Sequence, residues 1–445
     1  MKYRFVIIVI FFIIQCRPEV GPPNHRLFPL IGTESRNSTN NDNPSSTDNP
    51  TTTTTSTSDT VSPPVFSIAG GHQTIPQMVT LSTTTTASTI YYTMDGSTPT
   101  ASSTLYTTSI GHVWALAGRT IKAITIKGGI SSTVTTAEYT SPNVKTGQTI
   151  CYNTGTNIPT ACPVERQDGE IQSGLARGYI DNGDETVTDT GTGLIWMRCP
   201  RGRSGVSCGT GSNTTDTRAN QETYCSTLSL AGKVWRLPTR SELLTLVDFS
   251  SNASTIHPIF PNNGSINFWS STINAQTPAN SYNVTFNSAE TGQIVSTTNS
   301  SVRCVTGLTR KPASYVDNLD GTIKDKVSGL VWQRCPYGTT NDATCSGVGT
   351  SVLWNFAVNY CTTLSLAGRT WRLPNALEVE SLADLTATIS PTVQSIFVNN
   401  SSVQFWSSTT YQINNANAFN LNFITGNLFQ STKTNVFRVR CISDP

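Results

Sequence analysis

The chain has 445 residues, of which 36% are apolar and 13% charged, with 29 Lys and Arg against 27 Asp and Glu. Within each repeated unit of its second half the two signs also nearly cancel, so no broad basic field favours nucleic acid or steers any other polyanion. The length is enough for several folded domains, and eleven cysteines in such a chain point to disulfides and an oxidising compartment.

Lys2 and Arg4 precede an uninterrupted apolar run from Phe5 to Ile14, which is too short to span a bilayer and matches the core of a signal peptide. Gln15 and Cys16 follow. A cysteine directly after such a run resembles the lipobox of bacterial lipoproteins, in the looser form of spirochaetal ones, because Ile13 and Gln15 replace the usual Leu and Gly or Ala. The resemblance implies removal of residues 1–15, acyl chains on Cys16 and a lipid anchor in the outer membrane, facing the cell surface. The alternative is an ordinary secretory peptide cut elsewhere. Residues 33–62 are almost wholly Ser, Thr, Asn, Asp and Pro, too polar to offset the entropy of ordering, so 16–62 reads as a solvated tether.

Residues 63–145 form the first folded module. Val79, Leu81, Ile90, Tyr92, Val113, Ala115, Ile121 and Ala123 lie in short Thr-rich alternating runs between Gly turns, the pattern of a β-sandwich. The run Ile90-Tyr91-Tyr92-Thr93-Met94-Asp95-Gly96-Ser97-Thr98-Pro99, followed by Thr120-Ile121-Lys122-Ala123, resembles the C-terminal domain of chitobiase and related β-hexosaminidases. That domain is a non-catalytic accessory, which implies a spacer or a weak glycan contact here.

Residues 146–178 read as a connector closed by Cys151 and Cys162. Beyond it the chain is written twice, as 179–308 and 309–445. Trp196 aligns with Trp332, Tyr224-Cys225 with Tyr360-Cys361, Trp235 to Pro238 with Trp371 to Pro374, and Phe268 to Thr272 with Phe405 to Thr409. A unit of about 130 residues far exceeds a solenoid period, so each copy is expected to hold its own core. Each opens on a hairpin. A helix is expected up to Leu228 and Leu364, and a second, short one after a capping box at Thr239/Glu242 and Asn375/Glu378. Its apolar face would be Leu243, Leu246 and Val247, with Val379 and Leu382 in the second copy. Each copy has four cysteines, for which sequence leaves three pairings open. The favoured one joins a near pair (Cys199 with Cys208, Cys335 with Cys345) and a far pair (Cys225 with Cys304, Cys361 with Cys441).

Gly-Leu-x-Trp, the Tyr-Cys helix, Trp-Arg-Leu-Pro-x-x-x-Glu, Phe-Trp-Ser-Ser-Thr and a terminal Val-x-Arg-Cys, in this order, resemble the C-terminal domain family of the Legionella collagen-like adhesin. The family is in turn similar to the C-type lectin and formylglycine-generating-enzyme superfold. The expected architecture is therefore multidomain, an all-β Ig-like sandwich followed by two tandem α+β C-type-lectin-like domains. Binding of sulfated glycosaminoglycans is what the resemblance implies, without the collagen-like repeats that trimerise the adhesin.

Trp196, Trp235, Trp269, Trp332, Trp371 and Trp406 have sugar-stacking faces but read as core of small domains. Arg236 and Arg372 are expected to bond Glu242 and Glu378. Arg198, Arg201 and Arg203 are the densest basic group and the candidate ligand contacts, set against a plain solvated loop. Asp181, Asn182, Asp184 and Asp189, with Asp317, Asn318, Asp320 and Asp325, alternate like calcium ligands, yet no EF-hand spacing follows and a turn accounts for them. The sugar-gripping Glu-Pro-Asn and Trp-Asn-Asp signatures of calcium-dependent lectins are missing. His25, His72, His112 and His257 form no metal pair, and none occurs in both copies. No metal site, cofactor or catalytic residue is expected. The leading expectation is a non-enzymatic surface lipoprotein that binds host or matrix glycans or proteins; the rivals are a structural envelope lipoprotein and, more weakly, a carbohydrate-processing enzyme.

Overall fold

The structure is a computed structural model and describes residues 60–162, 166–252, 255–261, 267–398 and 404–445. Cys16, the leader before it and most of the tether lie outside the described residues. Among the described residues no helix is long and apolar enough to cross a membrane. The chain is multidomain and mostly β, with few and short helices.

In the first module, Thr89–Thr93, Thr120–Lys127 and Thr135–Thr140 make the centre of a six-stranded sheet. Alternation turns Ile90, Tyr92, Ile121, Ala123, Ala137 and Tyr139 into one core with Val79 and Leu81. The Asp95-Gly96 turn closes as its sequence suggests: an Asp95 carboxylate oxygen accepts the Ser97 amide at 3.0 Å, and Gly96 has φ +82°.

Each repeated unit pairs its first three strands with its last. Tyr179–Asp181, Thr186–Asp189 and Ile195–Met197 are joined by Val305–Thr306, and Tyr315–Asp317, Thr322–Asp325 and Val331–Gln333 by Ile442–Ser443. Between them the first unit carries α1 (Arg218–Thr227), α2 (Arg240–Thr245), β1 (Asn267–Ile273), β2 (Asn280–Thr285) and β3 (Glu290–Val295). The second carries α3 (Trp354–Thr363), α4 (Ala376–Glu380), β4 (Gln404–Thr410), β5 (Asn417–Asn422) and β6 (Asn427–Thr432).

The two boxed motifs are scaffold. Both capping boxes form, and Arg236 and Arg372 each hold the cap glutamate, Glu242 and Glu378, through two nitrogens at 2.7 Å. In Phe-Trp-Ser-Ser-Thr, β1 and β4 each shift register after the Trp, and the first Ser donates to the neighbouring strand: Ser270 to the Tyr282 carbonyl, Ser407 to that of Phe419. The Thr hydroxyl accepts the first amide of the short helix, Arg240 onto Thr272 at 3.1 Å and Ala376 onto Thr409 at 2.8 Å. All eight tryptophans are buried, so none offers a sugar a face. The disulfides are Cys151–Cys162, Cys199–Cys208, Cys225–Cys304, Cys335–Cys345 and Cys361–Cys441. The far pair of each unit lies in a small core of that unit's own, beside Trp235 and Trp269 or Trp371 and Trp406.

The larger core belongs to both units, against the expectation of separate ones. Leu243, Leu244, Leu246, Val247, Phe249 and Val284 of the first unit pack in one cluster with Leu377, Val379, Leu382, Phe419, Leu421 and Leu428 of the second. Phe249 meets Phe419 edge to face at 5.0 Å. Arg240, fully buried on α2, binds Glu380 on α4 through Nε at 3.1 Å and a terminal nitrogen at 2.6 Å. The facing edges of β3 and β6 are closed by side chains: Thr291 accepts the Leu428 amide and Glu290 the Gln430 amide. The physical reason is area. Helices of six and five residues on three-stranded sheets cannot cover an inner face that is apolar all round, so the copies cover each other.

The connector also enters this body. Its Leu175 belongs to the shared core, as do Trp114, Ala115 and, at the end of the first module, Val144. Arg310, at the start of the second unit, donates to the Trp114 carbonyl at 3.0 Å and lies over its ring at 5.3 Å.

Candidate functional site

One corner of the unit differs between the copies while its backbone does not. Asp216 bridges Ser300 in the first copy, and at the matching positions Val352 bridges Phe437 in the second. Matching positions along these stretches read Arg201, Ser212, Thr217, Asn220 and Asn299 in the first copy and Tyr337, Val348, Leu353, Phe356 and Val436 in the second. Exposure there is high: Val348 83%, Val436 55%, Leu353 42% and Phe356 42%.

The two corners are built by different forces. In the second, Tyr337 contacts Phe356 and Tyr360 with centroids 5.3 and 4.5 Å apart, Phe437 packs on Trp406 at 4.5 Å, and Gln333 donates to the Tyr360 hydroxyl at 2.9 Å. No charged residue occurs from 347 to 360. In the first, Arg201 lies over the Tyr224 ring at 4.5 Å and bonds Gln221 at 3.0 Å and Asp216 at 3.5 Å, while Arg218 pairs with Glu222 at 3.1 Å. Asp216, with Asn220 and the Thr217 amide as donors and Arg201 nearby, is held below the usual carboxylate range. Exposed apolar residues on one copy thus stand at the positions that polar residues take on the other, where exposure leaves them free for contact.

The Lcl C-terminal domain profile matches residues 185–306 and again 321–443, together more than half of the chain. The chain belongs to the Lcl C-terminal domain family. Residues 68–137 match the chitobiase/beta-hexosaminidase C-terminal domain. Searches of curated proteins and of solved structures returned no match. Tandem Lcl domains suggest an adhesin-like surface protein.

The sequence-predicted arginines of the first Lcl domain do not form one free basic face. Arg198 is 5% exposed and spends a terminal nitrogen on Asp181 at 2.6 Å. Arg203 bonds Asn213 at 2.7 Å and the Cys208 carbonyl at 3.2 Å, inside the loop that Cys199–Cys208 closes. Arg201 belongs to the corner described above. Density in sequence gave no direction: Arg198 sits between buried Met197 and Cys199, so its side chain is enclosed.

The aspartates that alternate like calcium ligands serve turns. Asp181 accepts the Gly183 amide, which holds its carboxyl below the usual range with Arg198 assisting, and Asp317 accepts that of Leu319. Asp184 and Asp320 accept the amides of Thr186 and Thr322. Asp189 and Asp325 bond Thr192 and Ser328 hydroxyls from buried positions. Among the described residues no group of three or more His, Cys, Asp or Glu is placed to hold a metal ion. His112 and His257 accept nearby amides from Trp114 and Ile259, and His72 contacts the Thr140 hydroxyl. Burial pushes His112 down to about 4. His25 lies outside the described residues.

Sequence reasoning passed over Tyr337, Leu353, Phe356 and Val436. A position-by-position comparison of the two copies would have found them, because polar residues of one copy there face apolar residues of the other.

Proposed function

We propose that this chain is a surface-exposed, non-enzymatic lipoprotein, anchored in the outer membrane through Cys16, whose Lcl domains bind host or matrix ligands, glycans such as glycosaminoglycans among them. Family membership supports an adhesin-like role, and the unlike corners carry the reading that each Lcl domain has its own contact. The polar corner with Arg201 suits an anionic ligand, although its guanidinium is shared with Asp216, Gln221 and Tyr224. The corner of Leu353, Phe356 and Val436, beside which Arg438 and Lys433 are buried rather than exposed, suits a contact that salt weakens little. An Ig-like first module and C-type-lectin-like Lcl domains remain the fold reading that accompanies this proposal.

The test uses the whole chain, since cutting at 179 would strip Trp114, Val144 and Leu175 from the shared core. Binding is measured on sulfated and neutral glycans and on matrix proteins over a salt series. Giving the second corner the residues of the first, Leu353→Thr with Phe356→Asn, is expected to weaken salt-insensitive binding roughly thirty-fold, about 2 kcal/mol. Arg201→Ala is expected to weaken only salt-sensitive binding. Unchanged binding in both variants would refute the corners as contacts, and no binding at any salt would favour a structural envelope role.

A further inference from the structure

The segment from Val144 to Leu175 grips the second Lcl domain by polar contacts that contain one uncompensated acid. Gln148 exchanges two hydrogen bonds with the Thr410 backbone, and the Tyr152 hydroxyl donates to Gln412. Between them, one oxygen of Asp168, Oδ2, accepts the Thr146 hydroxyl at 2.8 Å and the Thr409 hydroxyl of β4 at 2.6 Å. Asp168 is 2% exposed, and its other oxygen, Oδ1, is buried without a hydrogen-bond partner. The charges that face it are Arg372 and Glu378 of the second domain. These two are already paired at 2.7 Å, and Arg372 binds Asp444 as well at 2.8 Å, so no cation is left over for Asp168.

Among the described residues the contact has no counterpart in the first Lcl domain. There the residue matching Thr409 is Thr272, whose hydroxyl oxygen accepts the Arg240 amide. The residue matching Ala376 is Arg240 itself, whose side chain goes to Glu380 and the Gly426 carbonyl of the second domain. Both repeated units therefore offer a hydroxyl at this place, and one of them receives a buried carboxyl from outside the repeat.

We propose that Asp168 makes the seating of this segment proton-linked: the segment is firmly held on the second Lcl domain while Asp168 is protonated and loosens when it ionises. A buried carboxylate with two hydroxyl donors and no free cation keeps its charge at a cost that release into water removes. Burial pushes the carboxyl up to about 6, against the opposing pull of the Thr409 and Thr146 hydroxyls. A folded-state pKa above the unfolded one contributes stability that is fully present below the unfolded value and is lost as pH rises through about 6. At the other end of the segment Lys433 lies 4.9 Å from the Tyr152 ring and 4.0 Å from that of Trp354, and burial pushes its ammonium down to about 7. Lys433 is mostly charged below that pH, but His72, which lines a cleft with Ile171, Ser173 and Gly174 of the segment and is pulled below its ordinary value by burial, also titrates on the acid side, so between about pH 4.5 and 6.5 the difference between the parent chain and Asp168→Asn isolates Asp168.

Amide hydrogen exchange of residues 148–152 and 167–175 in the full chain reads the seating directly, after correction for intrinsic rates and with Thr89–Thr93 as a remote control. Protection is expected to fall at least about ten-fold from pH 4.5 to 6.5, and Asp168→Asn, which keeps the shape without the charge, is expected to abolish that slope. A flat profile in the parent chain, or an unchanged slope in the variant, would overturn the proposal. Should the variant not fold, the carboxyl carbon of Asp168 titrated by NMR in the parent chain decides: a midpoint near 6 supports the linkage and one near 4 refutes it.

Discussion

Glu380→Ala is expected to destabilise the chain by about 3 to 5 kcal/mol, because it strands a buried guanidinium. Arg240 is fully buried, holds Glu380 through Nε and a terminal nitrogen, gives its third nitrogen to the Gly426 carbonyl at 2.6 Å, and lies over the Tyr282 ring at 4.7 Å. Every one of those partners except the ring of Tyr282 belongs to the second Lcl domain. The residue that matches Glu380 in the first copy is Leu244, and the one that matches Arg240 in the second is Ala376, so the scaffold tolerates apolar residues at both places. Replacing both members, Arg240→Leu with Glu380→Leu, is therefore expected to cost much less than either single change. Denaturant unfolding followed by tryptophan fluorescence measures all three variants. A single-mutant loss below about 1 kcal/mol would mean that the pair is solvated and the copies only touch.

The second large effect concerns the far disulfides. Removing Cys361–Cys441, which closes a separation of 80 residues, is expected to cost roughly 4 to 5 kcal/mol by loop entropy, against about 2 to 3 kcal/mol for Cys335–Cys345 with its separation of 10. Packing adds to the difference. Cys361 and Cys441 are fully buried beside Trp371 and Trp406, so paired Ala replacements also leave a gap in a core that belongs to one domain alone. Midpoints of denaturant unfolding for the two double variants give the order. Equal losses, or a larger loss for the near pair, would contradict the account.

Much of the scaffold was legible because its signals are local. The capping boxes at Thr239 and Asn375 need only residues three apart, and the Tyr-Cys helices end at Thr227 and Thr363, just before the expected Leu228 and Leu364. Tryptophans repeated beside Leu, Phe and Pro declared themselves as core. The shared core was not read, because Leu243, Leu244, Leu246 and Val247 have the spacing of an ordinary single apolar face and nothing local says which layer covers it. A buried Arg240 gave no warning either, since its partner stands 140 residues away. The connector's grip was hidden for the same reason: Thr146, Gln148, Tyr152 and Asp168 look like linker polarity until Thr409, Thr410 and Gln412 are placed opposite them.

The candidate site was the least legible part. A cluster of arginines in sequence was weighed by density, whereas burial of Arg198 and the pairing of Arg201 depend on strands and helices far along the chain. The corner was written in the difference between the copies, at residues such as Asn220 and Phe356 that no single motif contains.

The claim on which the rest stands is that the two Lcl domains fold as one body, which fixes their unlike corners relative to each other. Scanning calorimetry of the full chain tests it most directly. The account predicts that both domains melt in one transition whose calorimetric and van't Hoff enthalpies agree, and that Glu380→Ala lowers that transition as a whole. Two separable transitions, of which the substitution moves only one, would contradict it.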